Sequence, residues 1–291
     1  MDNNGKVEVV AMCCDGLFQR YLIERLASEF KLTGVIVHAT PNAKGSLLPR
    51  TLRHKNPVDL FRYIQTRRLM SHYEEQARPA IERLFYSGGR PPSIPEGIPT
   101  LEVENINDPA AVTFLKNLGP DVICINGTNL LRKPMLDVIP SLRLGAINLH
   151  TGLSPYSRGG NCNLYMLLEG HPEFVGLTIH YIDPGVDSGD IIISSRPKLE
   201  PEDTYETIDA KTFRLGIDLM MVAIRQLQEG KAERVKQWER GKLFLRKTGY
   251  VYSPHQRVHV NSLLKKGLIR DYLANQAEMD AGIRLVGEQG A

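Results

Sequence analysis

No stretch of this sequence holds the run of about 18 apolar residues that would span a bilayer, so a membrane-spanning helix is not expected. Charge of one sign is also scarce: 36 Lys and Arg stand against 33 Asp and Glu, a formal net charge of +3. That balance does not by itself mark a nucleic-acid binder. Cysteine is rare. Cys13, Cys14, Cys124 and Cys162 include no CxxC pair, which excludes the usual zinc knuckles and dithiol motifs. Three of them lie in or beside apolar runs, and all four read as reduced core thiols. Gly-rich phosphate loops are missing too. After the first apolar run the chain reads Cys13-Cys14-Asp15-Gly16, with neither GxGxxG nor Walker spacing, which disfavours a nicotinamide- or ATP-dependent enzyme. The N-terminus, Met1-Asp2-Asn3-Asn4-Gly5, has no basic region leading into an apolar one, so the expected compartment is the cytoplasm. Neither repeats nor low-complexity segments occur.

What is present is an ordinary globular composition, 42% hydrophobic and 24% charged over 291 residues. Short apolar runs at Val7–Met12 and Gly34–His38 flank a segment with apolar residues at helical spacing (Phe18, Tyr21, Leu22, Leu26, Phe30). Strand, helix, strand over that length is the βαβ unit of a parallel sheet. Residues 41–56 look like a loop, with Pro41, Gly45, Pro49 and Pro57 as punctuation, and Leu60 to Phe85 looks helical. The role of this 41–95 insertion is open. Further strands are expected at Ile98–Val103, Asp121–Asn126 and Ala146–His150. Val175–Ile182 and Asp190–Ser195 lie close enough to be hairpin-like. Asp108 and Pro109 open a short helix, and Thr204–Glu229 is a longer one closed by Gly230. The expected fold is therefore α/β: a Rossmann-like, mostly parallel sheet flanked by helices, with a small C-terminal appendage. Residues 1–230 would form the catalytic domain, and 231–291 a hairpin plus a helix.

Basic residues gather in two places. Lys44, Arg50, Arg53, Lys55, Arg62, Arg67 and Arg68 face a single acid, Asp59, and the stretch from Lys231 to Lys247 is similarly biased. A solvated helix face explains such clusters, and so does attraction for a phosphorylated ligand.

Two segments carry polar groups where an apolar strand should run on. In Ala146-Ile147-Asn148-Leu149-His150, Asn148 and His150 are two apart, so both side chains leave the same face. A strand end at which both simply reach water accounts for them equally well. In Asp183-Pro184-Gly185-Val186-Asp187-Ser188-Gly189, Asp187 sits in a tight segment and reads alone as a turn-forming Asx residue. His180, a lone histidine on a strand, reads as a satisfied half-buried side chain.

Taken in order, these segments resemble the signature of the folate-dependent formyltransferases, which include methionyl-tRNA, glycinamide ribonucleotide and amino-sugar N-formyltransferases. The family pattern is Asn-x-His, then a Leu-Pro-x-x-Arg-Gly loop, then Asp-x-Gly-x-Ile some forty residues on. Asn148, His150, Pro155, Arg158, Gly159, Asp187, Gly189 and Ile191 match it. Gly152 and Ser154 depart from it, in a loop rather than among the three polar groups. The resemblance implies Asn148, His150 and Asp187 as the catalytic set and 10-formyltetrahydrofolate as formyl donor. It implies a pterin lying against Ile125, Asn126, Gly127 and Thr128 and against a second segment holding Ile182, Asp183 and Gly185. It implies no metal, and Asn is in any case a poor zinc ligand.

The chemistry suits those residue types. Formyl transfer to an amine passes through a tetrahedral oxyanion, which Asn148 and a protonated His150 could hydrogen-bond. Losing one such donor costs about 2.7–4 kcal/mol of barrier. A carboxylate beside the imidazole would orient it, raise its pKa and relay the proton.

The acceptor is less legible. About 60 residues follow Gly230, which favours a small-molecule amine, in particular a nucleotide-linked amino sugar, over a tRNA held by an added barrel. Methionyl-tRNA formyl transfer and formyltetrahydrofolate hydrolysis remain alternatives, as does a folate- or nucleotide-binding regulatory protein without turnover. The appendage is expected to pack on the catalytic domain or on a second subunit, which leaves a homodimer open.

Overall fold

The computed structural model describes residues 5–39 and 56–287. The loop expected at 41–56 and the first four basic residues of the Lys44–Arg68 cluster lie outside the described residues. The chain opens as β1 (Glu8–Cys14), α1 (Leu17–Glu29) and β2 (Lys31–His38), a right-ordered βαβ unit with parallel strands. Next come α2 (Pro57–Phe85), β3 (Thr100–Val103), α3 (Pro109–Leu118), β4 (Val122–Asn126), the short α4 (Lys133–Leu136) and β5 (Gly145–His150). They are followed by β6 (Ser157–Gly159), α5 (Cys162–Leu168), β7 (Leu177–Tyr181), β8 (Ile191–Ser195) and α6 (Tyr205–Gln228). The described chain ends with β9 (Lys242–Phe244), α7 (Pro254–Lys265), α8 (Leu268–Ala274) and α9 (Gln276–Asp280).

Seven strands form one sheet in the order β3-β2-β1-β4-β5-β7-β8. The first five are parallel, and β7 and β8 complete the sheet as antiparallel neighbours. Parallel strands are covered on both faces, which is why β4 reads as an unbroken apolar run and is buried throughout. Along β1, Val9, Ala11 and Cys13 pack with α1 and α6 on one face. Val10 and Met12 pack with Ala111 and Leu115 of α3 on the other. The period-2 alternation thus serves two cores at once. Strand order reverses between β1 and β4, and the crevice beyond their carboxyl ends is where open α/β sheets take ligands.

Helix boundaries follow capping chemistry. Pro57, expected to punctuate a loop, instead occupies the first turn of α2, and Asn56 Oδ1 accepts from the Val58 amide at 2.9 Å. Thr204 and Thr207 form a capping box on α6.

After α6 the structure departs from expectation. No hairpin forms among the described residues of the appendage. Its one strand, β9, pairs in parallel with β6, far away in sequence. Gly249 then turns the chain in a left-handed conformation, and Ser253-Pro254 starts α7 with a Gln256 capping box, so no second strand can follow. The single helix expected there is split at Gly267, whose φ is 109°. Val260, Leu264, Ile269 and Tyr272 bury themselves against Leu164 and Leu167 of α5 and Ile208 of α6. The outer edge of β8 is covered as well: Val235 pairs with Ile191, and the backbone of Val286 bonds Ser194.

Candidate active site

Strand β5 alternates cleanly. Ile147 and Leu149 enter the core shared with α6, so Ala146, Asn148 and His150 face the other way. β7 runs antiparallel beside it with Asn148 opposite His180 and His150 opposite Thr178. Directly opposed residues share a face, and so the register delivers a fourth polar side chain, His180, next to the expected pair. His180 is only 1% exposed. It had been read as an isolated histidine because one strand alone does not reveal its partner. The signal was the matched alternation, polar at 148 and 150 and polar at 178 and 180.

Hydrogen bonding fixes the roles of these groups. His180 Nδ1–H donates to the Tyr181 carbonyl at 2.8 Å, which leaves Nε2 as an acceptor. Asn148 Nδ2 donates to that Nε2 at 3.1 Å and to Asp187 Oδ1 at 3.3 Å. Both amide protons are therefore committed, the second to a bond at the weak end of the range. Asp187 Oδ2 accepts from the Gly159 amide at 3.0 Å and lies 3.6 Å from His150 Nδ1. At the other end of that imidazole, Nε2 is 3.3 Å from the Ser157 carbonyl and 3.5 Å from Cys162 Sγ.

Two glycines make this packing feasible. A Cβ at Gly152 would stand 2.4 Å from His150 Nε2, so the residue that departs from the family pattern gives the ring its room. Gly159 has φ near 100°, and a Cβ there would strike the Phe244 carbonyl at 2.4 Å. Its amide reaches Asp187 only because no side chain stands in the way.

Protonation corrects one expectation. Burial pushes the His150 pKa down, and the nearby Asp187 charge, which pulls it up, does not win. The resting ring is neutral, and its pKa is lowered where the sequence led to a rise caused by the carboxylate. Burial pushes the Asp187 carboxyl up, but His150, His180 and the Gly159 amide together hold it below the usual carboxylate range, and it is ionised. Burial also keeps Cys162 a thiol, and all four cysteines are free.

A cavity of about 530 Å³ is lined by Asn148, His150, His180 and Asp187. Ile125, Asn126, Gly127 and Thr128 line it too, as do Ile182, Asp183 and Gly185. Two of these have their side chains engaged in the fold. Asn126 accepts from Gln19 Nε2 at 2.7 Å and donates to the Leu149 carbonyl at 2.8 Å, tying β4 to β5. Asp183 accepts from the Gly185 amide and from the Ser188 hydroxyl, closing a turn. Among the described residues no group of three or more His, Cys, Asp or Glu could hold a metal ion. No helix of the described residues is long and apolar enough to cross a membrane.

A neutral imidazole, an ionised carboxylate and an amide meet at one cavity by the carboxyl ends of parallel strands, an arrangement suited to group transfer by acid–base chemistry. The family model described as formyl transferase matches residues 18–224, and the chain belongs to that family. A methionyl-tRNA formyltransferase of Syntrophus aciditrophicus is 35% identical over 138 residues, 47% of this chain and 43% of that protein. One from Akkermansia muciniphila is 29% identical over 189 residues, 65% of this chain and 56% of the other. The chain thus spans about half the length of the curated relatives it matches. Among solved structures, glycinamide ribonucleotide transformylase 1 of Symbiobacterium toebii superposes with a TM-score of 0.51 at 20% identity, covering 80% of this chain and 94% of that one. A Mycobacterium tuberculosis protein proposed to be a sugar N-formyltransferase gives 0.51 at 16%, covering 89% and 87%. At those identities the likeness is one of fold.

Proposed function

We propose that the protein moves a formyl group from 10-formyltetrahydrofolate to a primary amine, and that the amine belongs to a nucleotide-linked amino sugar. The observation that carries the formyl-transfer reading is the cluster of Asn148, His150, His180 and Asp187 lining a single cavity. The cavity suits such a donor. Its volume lies in the range of about 300–1,000 Å³ usual for small-molecule sites. Ile125 and Ile182 give it apolar sides for a flat ring, and free backbone at Gly127 and Thr128 gives polar contacts. The donor supplies the activated formyl carbon. This chain supplies the rest.

Asn148 holds Asp187 through a weak 3.3 Å bond. Exchanging it for the formyl oxygen costs little and places an amide N–H where negative charge develops, the kind of donor worth about 2.7–4 kcal/mol. His150 is neutral at rest and so is able to accept a proton from the attacking amine. Once protonated, it finds a carboxylate beside Nδ1 and a carbonyl beside Nε2. Burial keeps the proton off beforehand, these two acceptors steady it on the ring, and from there it passes to the folate nitrogen that departs as its bond to the formyl carbon breaks. Asp187 stays ionised throughout and supplies the charge that favours the transient imidazolium.

The small acceptor is supported by the size of the cavity, about 530 Å³, which suits small molecules. Methionyl-tRNA is the second reading, favoured by the names of the curated relatives. Direct competition decides between them. Both acceptors are offered at equal concentration with limiting formyl donor, and label is expected in the sugar. Preferential labelling of methionyl-tRNA overturns the acceptor and leaves the formyl transfer standing. A transfer RNA acceptor would also bind with a steep salt dependence, and a single diphosphate would not.

A further inference from the structure

Asp187 is the one member of the cluster that no helix or strand carries, and its backbone is left-handed with φ 45°. An aspartate tolerates that conformation at some cost. Something must therefore hold it, and what holds it comes from beyond α6. Arg234 Nε donates to Asp190 Oδ2 at 2.9 Å, and its guanidinium lies 4.3 Å over the Tyr181 ring. Val235 and Ile191 exchange backbone bonds of 2.7 and 3.0 Å. Gln237 Nε2 donates to the Asp187 carbonyl at 2.8 Å and to the Gly189 carbonyl at 3.0 Å. A few residues on, β9 pairs with β6, the strand whose Gly159 amide grips the Asp187 carboxylate. One segment thus ties down both loops that meet at Asp187.

We infer that residues 234–244 are a strap that positions Asp187 against His150, with Gln237 as the positioning residue that fixes the Asp187 backbone. The inference rests on the formyl-transfer reading for its kinetic consequences, though not for its geometry. Gln237 is not among the residues lining the cavity, so it acts only through Asp187. Its Oε1 is buried without a hydrogen-bond partner among the described residues. The side chain therefore pays a desolvation cost that its two N–H bonds must offset. Such an arrangement is worth keeping where a carboxylate must stand within a fraction of an ångström of its place, since a shift of about 1 Å costs a factor on the order of 10² in rate.

Gln237→Met keeps the length of the side chain and removes both donors. Its kcat is expected to fall between about ten- and a hundredfold, with the donor KM changed much less. Gln237→Glu, which sets a carboxylate against two carbonyls, is the second variant should the first fail to fold. Glu233→Ala, an exposed residue just before the strap, is the control and keeps wild-type rates. The cycle with Asp187→Asn separates positioning from general loosening: in that background Gln237→Met adds almost nothing, because the group it positions is gone. Titration followed by NMR at the Asp187 side-chain carbon reads the same alignment without turnover. Its midpoint should rise in Gln237→Met, toward the ordinary carboxylate range. Wild-type kcat in both Gln237 variants, a loss that adds in full to that of Asp187→Asn, or an unmoved midpoint overturns the strap. Absence of formyl transfer in the wild-type protein overturns the formyl-transfer reading instead, and the NMR midpoint still decides the strap.

Discussion

The two halves of the site are built differently. Asn148, His150 and His180 stand on paired strands, the fifth and sixth of a seven-stranded sheet, and their directions follow from a backbone ladder backed by Ile147, Leu149 and Ile179. Asp187 stands on a loop and Gly159 at the end of the three-residue β6, both with positive φ, and their places follow from hydrogen bonds that cross the site. The strand half is rigid because moving it would break the core. The loop half is held by a few polar contacts and is the part that substitution can loosen without unfolding the protein. Precision at the reacting end comes from the sheet, and the charge that tunes it is delivered by the loop.

Substitutions that strike the strand half should cost most. His150→Ala removes the proton acceptor, and formyl transfer should fall by about 10²–10⁴-fold, measured as acceptor-dependent release of tetrahydrofolate. Donor binding should be nearly unchanged, since the lining residues expected to meet the pterin are left in place. Full turnover in this variant would remove His150 from the mechanism. Asn148→Ala comes next. Loss of one oxyanion donor lowers kcat by about 10²–10³-fold, and a change confined to KM would show that the amide only binds. His180→Asn should be milder, about tenfold, because His180 acts by holding Asn148 rather than by touching the reacting atoms. A loss as large as that of Asn148→Ala would mean that the strand half contains a further reacting group.

How much of this was legible before the fold was known follows the same division. The apolar runs of β1, β2 and β4 announce a parallel sheet, and the pairing of Asn148 with His150 follows from strand period alone. The helix after Thr204 is marked by its caps. His180 was not legible, because its partnership depends on the register of β7 against β5, which the chain does not state locally. Asp187 was found through its resemblance to a known pattern and not through any periodicity, since a loop residue has none. Gln237 was missed for a related reason: it lies in an irregular stretch, 50 residues from the carbonyl it holds. The expected hairpin failed because β9 found a partner in β6, a pairing between distant segments. The direction of the His150 shift is not legible either: the resemblance supplies the neighbouring carboxylate, but the depth of burial that outweighs it cannot be read from sequence.

The smallest expected effects concern pH, and they set one half of the site against the other. His150 is held below its ordinary value near 6.5 by burial, and must be neutral to accept a proton. The acid limb of the kcat profile should therefore lie below 6.5. In Asp187→Asn it should move lower still, because the carboxylate favours the protonated ring. A limb that rises in this variant would show the loop half acting otherwise than by its charge. Stability follows the same sign. A group whose folded pKa is depressed contributes stability above its unfolded value, and loses it as pH falls through the folded one. Melting temperature should thus begin to drop below about pH 6.5, and His150→Asn should flatten that part of the curve.

The central claim is that this cleft carries a formyl group from a folate to an amine by way of Asn148 and His150. It is tested most directly by following a donor labelled with ¹³C in the formyl carbon by NMR, with an amino-sugar nucleotide present, in the wild-type protein and in His150→Ala. The account predicts a new formamide resonance that grows with the wild-type protein, needs the amine, and is lost with the variant. Label that stays on the donor, or that is released as formate at the same rate with and without any amine, would contradict it.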